Sequence, residues 1–138
     1  MRTHIFLDAN FILIPAQLNI DIYSEFNRLI LDPYDLIVLS VILSELEKKI
    51  ELNKTKTKLA QEFRLSKQIL DHQVFKIINV EKKSNEYVDN ILLQQAIMSK
   101  NAGDFVYIAT NDKELRRKCR ENKIRNIFIR NEKYLGVE

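Results

Sequence analysis

The chain has 138 residues and a net charge of +3, from 22 Lys and Arg against 19 Asp and Glu, which suits one soluble domain over residues 1–138 and marks no strong polyanion binder by charge alone. Its single Cys119 excludes an internal disulfide and favours a reducing, cytoplasmic setting, and no apolar run approaches the ~18 residues of a membrane span. With only Gly103 and Gly136 in the chain, a glycine-rich phosphate-cradling loop is excluded as well.

The apolar run His4–Leu7 reads as a buried strand, ended by Asp8 with Asn10 two residues on. That acid, and the lack of a small-residue cleavage site, argue against a secretory leader. Pro15 marks a break, after which Asn19 or Asp21 can cap a helix to about Leu31, with Ile22, Phe26, Leu29 and Ile30 on one face. Asp32–Asp35 is a turn. Leu36–Leu39 is a second strand, and Ser40 can cap a helix over about Val41–Leu52 that buries Ile42, Leu46 and Ile50 and carries Glu45 near its start. Asn53–Lys58 is polar and basic, and a further helix to about Asp71 turns Leu59, Phe63 and Leu70 inward.

Val74–Val80 reads as the third strand, Lys82–Glu86 as a charged loop, and Asp89 opens a helix with Leu92, Leu93, Ala96 and Ile97 as its core stripe. After a turn at Asn101–Asp104, Phe105–Ala109 is the fourth strand. Asp112 begins a strongly basic helix to about Asn122, with Leu115 and Cys119 one turn apart, and Ile127–Ile129 is a fifth strand before a short tail. Continuous apolar strands alternating with helices predict an α/β fold, a parallel sheet of about five strands covered on both faces.

Asp8, Glu45, Asp89 and Asp112 share one placement: each ends a strand or lies early in the helix that follows one. Ligands of open parallel sheets bind outside the carboxyl ends of the strands, so these four acids are expected to meet in one crevice. Two carboxylates ~5 Å apart repel by roughly 3 kcal/mol at an effective dielectric near 20, which protonation or a bound cation must relieve. All-oxygen ligation suits one or two Mg²⁺ or Mn²⁺ ions. Without a second His or Cys nearby, zinc does not fit. Hard cations held by carboxylates promote phosphoryl chemistry without a nucleophilic side chain.

Each acid also has a plainer reading. Asp8 could begin an Asx turn, Glu45 could pair with Lys48 or Lys49 on a helix surface, and Asp89 and Asp112 could be N-caps. Joint placement after successive strands is what favours a shared site. Beside it, Lys113, Arg116, Arg117, Lys118, Arg120 and Lys123 form either a solvated face partnered by Glu114 and Glu121, or a basic rim for a nucleic-acid backbone. Lys48, Lys49, Lys54, Lys56 and Lys58 would make a second rim. Cys119 reads as core, His72 as surface, and His4 has no metal-ligand spacing. The aromatics are scattered and form no legible stacking platform.

Phe6-Leu7-Asp8-Ala9-Asn10, Ser44-Glu45-Leu46, Val88-Asp89 with Ala96, and Ala109-Thr110-Asn111-Asp112 together resemble the PIN-domain ribonucleases over nearly the whole chain. The resemblance implies a three-layer α/β/α fold and metal-dependent cleavage of single-stranded RNA. It implies Asp8, Glu45, Asp89 and Asp112 as the Mg²⁺ or Mn²⁺ ligands, with Asn10 and Thr110 orienting them. Asp8–Gln17, Asp21–Glu25 and Thr110–Arg116 look like the subgroup linked to small-subunit ribosomal RNA processing, whose eukaryotic members work among ribosome-assembly factors. Asn90 departs from that subgroup, which often has a second Asp there. Family members often form homodimers. Alternatives are a toxin ribonuclease of a toxin–antitoxin pair and a non-catalytic RNA- or protein-binding domain, the latter disfavoured by retention of all four acids. A haloacid-dehalogenase-like phosphatase would need an Asp where Asn10 stands.

Overall fold

The computed structural model describes residues 2–52 and 57–138. Its elements run β1 (Thr3–Leu7), α1 (Ala9–Ile12), α2 (Ile14–Leu18), α3 (Ile22–Leu29), β2 (Asp35–Leu39), α4 (Ser40–Leu52), α5 (Lys58–Asp71) and β3 (Lys76–Ile78). They continue α6 (Val88–Asn101), β4 (Phe105–Ala109), α7 (Lys113–Glu121), β5 (Arg125–Arg130) and β6 (Tyr134–Val137). One sheet holds the six strands in the order β3-β2-β1-β4-β5-β6.

The first five strands are parallel, and in the neighbouring pair β1 and β2 the apolar runs are covered on both faces: Ile5, Phe6 and Leu7 of β1 and Val38 and Leu39 of β2 are fully buried. Helices flank the sheet in packed groups. α1, α2, α4 and α5 lie against one another, α6 and α7 form a pair beside β4 and β5, and α3 packs on β6. β1 is the pivot. Chain order runs outward from it through β2 and β3, then resumes on its other side with β4 and β5. The carboxyl ends of β1 and β4 therefore form a topological switch point, where such sheets place their ligand crevice.

Several expected elements fall differently. Pro15 lies in the first turn of α2, where its missing N–H costs nothing, and the break comes at Asn19, in the left-handed region with φ 56°. Asp21, not Asn19, caps α3, its Oδ1 accepting the Ser24 N–H at 3.1 Å. Ser40 is the first residue of α4, and its hydroxyl exchanges hydrogen bonds with the Val80 backbone, tying β2 to the chain beyond β3. Tyr87, not Asp89, is the N-cap of α6, which leaves Asp89 in the first turn.

The expected strand Val74–Val80 shrinks to three residues at the sheet edge, with Val74 95% exposed. Leu59 is 44% exposed, and α5 buries Ala60 and Ser66 beside Phe63 and Leu70. The tail is a strand: β6 pairs antiparallel with β5 through a turn whose Asn131 and Glu132 both have φ 53°. Paired left-handed residues match the twist of a tight hairpin, so the sheet is mixed rather than wholly parallel. Of the second basic rim, Lys54 and Lys56 lie outside the described residues.

Candidate active site at the carboxyl end of the sheet

Asp8 leaves β1 as the N-cap residue of α1, in extended conformation, and is only 4% exposed. Its N–H is donated to the Ala109 carbonyl at 3.1 Å, which extends the β1–β4 ladder by one residue. The fully buried Thr110 donates its hydroxyl to Asp8 Oδ2 at 2.7 Å, and the same hydroxyl oxygen accepts the Asp112 N–H at 3.1 Å. Thr110 thus joins the ends of β1 and β4. Its own backbone is fixed in turn by Asn126, a fully buried carboxamide whose Nδ2 donates to the carbonyls of Ile108, Thr110 and Ile127 at 3.0, 3.1 and 3.1 Å. Along the chain Asn126 follows Arg125 and stands just ahead of the apolar run Ile127–Ile129, so it reads as an ordinary polar residue at a strand start and only its burial marks it out.

The electrostatics bring all four acids together. Burial pushes the Asp8 carboxyl up to about 6; the Thr110 hydrogen bond opposes this, and the charges of Asp89 and Asp112 add to it. Asp89, half-buried in α6, is also raised, first by burial and then by the charge of Asp112, with Glu45 contributing and Lys118 opposing. Each acid therefore lies within electrostatic reach of another. The walls differ, however. Asp8, Asn10, Glu45 and Asp89 line one cleft of about 650 Å³. Asp112 stands outside that lining, exposed at the N-cap of α7 with Oδ1 accepting the Leu115 N–H at 2.8 Å.

Among the described residues no three His, Cys, Asp or Glu side chains stand close enough to clasp an ion as they are. The chemistry of the donor set nonetheless fits a hard cation. It is all oxygen and mutually repelling, and its most buried member is pushed toward protonation by the neighbouring negative charges as well as by burial. A carboxylate has two oxygens, so a helix cap through one leaves Asp112 a second for a ligand.

The basic residues divide. Lys49 lines the cleft with its Nζ 5.8 Å from the Phe63 ring centroid, while Lys48 and Lys113 are exposed. Arg116 stacks on Phe128 at 4.2 Å and, like Arg120, donates to Glu138, whereas Arg117 is gripped by Glu114 and Glu121. The helix face is therefore largely charge-compensated, closer to the solvated reading of α7. Two more cations stand at the acids: Lys118, a member of the expected α7 rim, and Lys82, which along the chain looks like part of an ordinary charged loop. Lys118 donates to Asn90 Oδ1 at 2.9 Å beside Asp89, and Lys82 lines the cleft. Cys119 is fully buried and burial pushes its thiol up to about 11, so it is core; His72 is exposed.

Residues 5–132 match the model of a family described as "PIN like domain", and the chain belongs to that family. Across 132 residues it is 32% identical to Ribonuclease VapC4 of Methanocaldococcus jannaschii, covering 94% of this chain and 92% of that one. Its fold matches a solved structure of the PIN domain endonuclease Utp24, with a TM-score of 0.75 at 24% identity over 98% of this chain and 90% of the other. A domain of a functionally unknown protein from M. jannaschii gives a TM-score of 0.61 at 14% identity, over 92% and 91% of the two chains.

Proposed function

We propose that this chain is a metal-dependent endoribonuclease that hydrolyses phosphodiester bonds in single-stranded segments of RNA, with precursor ribosomal RNA as its substrate. The observation that carries this reading is the buried Asp8 at the β1–β4 switch point, pushed up to about 6 by burial and by surrounding acids rather than neutralised by a basic residue. Family membership and the ribonuclease relative support it.

Asp8, Glu45, Asp89 and Asp112 would hold one or two Mg²⁺ or Mn²⁺ ions. Bound there, such an ion polarises the phosphodiester and eases ionisation of the attacking water. The protein's own residues do the rest. Thr110 holds the Asp8 carboxylate through its hydroxyl, and Asn10 stands at the cleft wall where it can orient substrate or water. Lys48, Lys49, Lys113, Arg116, Arg117 and Arg120 line the approach for the RNA backbone, the arginines by exchanging their present carboxylate partners for phosphates. The chain works as one domain in the cytoplasm; no helix among the described residues is long and apolar enough to cross a membrane.

The test is cleavage of precursor ribosomal RNA with Mg²⁺, Mn²⁺ or chelator, beside Asp8→Asn. Metal-dependent cleavage reduced ~10²-fold or more in the variant is expected, the scale of losing one group that stabilises developing charge. Cleavage by the variant at the parent rate would overturn the proposal. The 32% identity to a ribonuclease of another name keeps a toxin ribonuclease as the second reading. Preferential cleavage of transfer or messenger RNA, with precursor ribosomal RNA left intact, would favour it.

A further inference from the structure

An aromatic ring left in water beside an active site is an unusual use of surface, because Tyr is normally at least partly covered. Tyr87 is 76% exposed. It lines the same cleft as Asp8, Glu45 and Asp89, two residues before Asp89 itself. Its backbone is rigidly held: as N-cap of α6, its carbonyl accepts the Asn90 N–H at 3.1 Å and the Ile91 N–H at 3.3 Å. The loop leading to it is closed by two hydrogen bonds. Glu86 N–H donates to the Lys83 carbonyl at 3.0 Å, and Lys83 N–H to Glu86 Oε1 at 3.1 Å. Among the described residues, no hydrogen bond, ion pair or ring contact holds the Tyr87 side chain. The chain therefore fixes the base of this ring and leaves its faces open.

The surroundings give the open face a chemistry. Lys49 and Lys82 share the cleft wall, as do Ser84 and Asn85, whose short polar side chains suit the edges of a heterocycle. A volume of about 650 Å³ lies within the ~300–1,000 Å³ that small-ligand pockets occupy. The cleft that holds Asp8, Glu45 and Asp89 thus also holds a flat ring, two ammonium groups, a hydroxyl and a carboxamide, with Glu86 beside them.

We infer that Tyr87 is the stacking platform of a nucleotide subsite, holding the unpaired base next to the phosphodiester that the acids address, with Lys49 and Lys82 on the adjoining phosphate. This rests on the ribonuclease reading and deepens it. A base in a duplex is already stacked on both faces and cannot offer one to Tyr87, so the subsite selects single-stranded or splayed-out nucleotides. Stacking is tolerant of base identity, so the subsite imposes strand state more than sequence.

The experiment uses the full chain carrying Asp8→Asn, which keeps RNA intact, and a fluorescent oligoribonucleotide of about eight residues, in the size range of single-strand sites. Binding is followed by anisotropy at about 50 mM salt, where backbone contacts are strong. Adding Tyr87→Ala is expected to weaken binding by ~5-fold or more, the lower end of base–aromatic stacking. Tyr87→Phe should bind within about 2-fold of its parent, because the ring is kept. One abasic position in the RNA should abolish the difference between the parent and its Tyr87→Ala variant, and blunt duplex RNA should show none. Since the helix is capped through main-chain atoms, the alanine variant keeps its cap, and an unchanged melting curve checks that it folds. Equal binding by the Tyr87→Ala protein, or a loss that persists at every abasic position, overturns the subsite. Should the Asp8 parent still cleave RNA with Mn²⁺, the ribonuclease proposal survives that result; absence of both binding and cleavage removes both.

Discussion

The two ends of the parallel sheet treat their acids in opposite ways. At the amino end, His4 of β1 lies between Asp35 of β2 and Asp104 ahead of β4, at 3.5 and 3.6 Å. Lys76 of β3 and Arg2 reach Asp35 at 3.1 and 3.4 Å, and the Ser99 hydroxyl donates to Asp104 at 2.9 Å. Burial alone would raise Asp35, but the Lys76 hydrogen bond and the surrounding positive charges hold it below its ordinary value; the Ser99 hydrogen bond does the same for Asp104. At the carboxyl end, Asp8 and Asp89 are both raised, by burial and by other acids. One end satisfies its carboxylates and gains fold stability. The other leaves Asp8 and Asp89 raised beside other acids, and perturbed groups clustered in a cleft are where a functional site is expected.

The largest consequence concerns stability against pH. An unfolded Asp8 ionises near 3.8 and the folded one at about 6. Between those values the native state keeps a proton that the unfolded chain has released, so stability falls as pH rises through the window. The full loss, reached above pH ~6, is about 3 kcal/mol. Metal-free protein should therefore melt higher at pH 5 than at pH 7.5, and Asp8→Asn should flatten that difference while raising stability at pH 7.5. Added Mn²⁺ should stabilise the parent by about 2.7 kcal/mol at a hundred times its Kd. A parent that gains stability steadily from pH 5 to 7.5 without metal would contradict the uncompensated state of this end.

Thr110→Val sharpens the contrast by removing one link. Asp8 loses the hydrogen bond that lowers its pKa, and the Asp112 N–H loses an acceptor. Thermal melts at pH 7.5 should report a loss of about 1–3 kcal/mol. Cleavage should fall by roughly 10- to 100-fold, as when a supporting partner of a metal ligand is removed. Asp35→Asn is the counterpart at the amino end and the smallest effect. Its pKa is depressed, so its contribution is present above the unfolded pKa and disappears as pH falls through the folded one. Losing a largely solvent-screened ion pair should cost under about 1 kcal/mol at pH 7, with cleavage unchanged. An activity loss rivalling that of Thr110→Val would couple the two ends and erase the distinction.

Much of the architecture was legible locally because it depends on short-range patterns. The unbroken apolar runs of β1, β2 and β4 specify buried parallel strands, and Leu115 and Cys119, both fully buried, are one helical turn apart in an otherwise charged α7. Asp8 announced itself as an acid at the end of such a run. The β5–β6 hairpin was hidden because its left-handed residues are Asn131 and Glu132, without the glycine that usually marks that turn. Val74 belongs to an apolar run but is stranded in solvent beyond a short edge strand.

Sequence alone thus determined the alternation of strands and helices and the position of the carboxylates after them, because hydrophobic period and capping act over a few residues. Only the tertiary structure decided which acids are compensated. In the sequence Asp35 and Asp89 are equivalent acids beside apolar segments; folded, one meets Lys76 and the other meets Asp112. Such neighbours are chosen by strand order, which also sets the open ring of Tyr87 beside the acids. Charge acts through space, and the distances through space exist only after the chain has closed around β1.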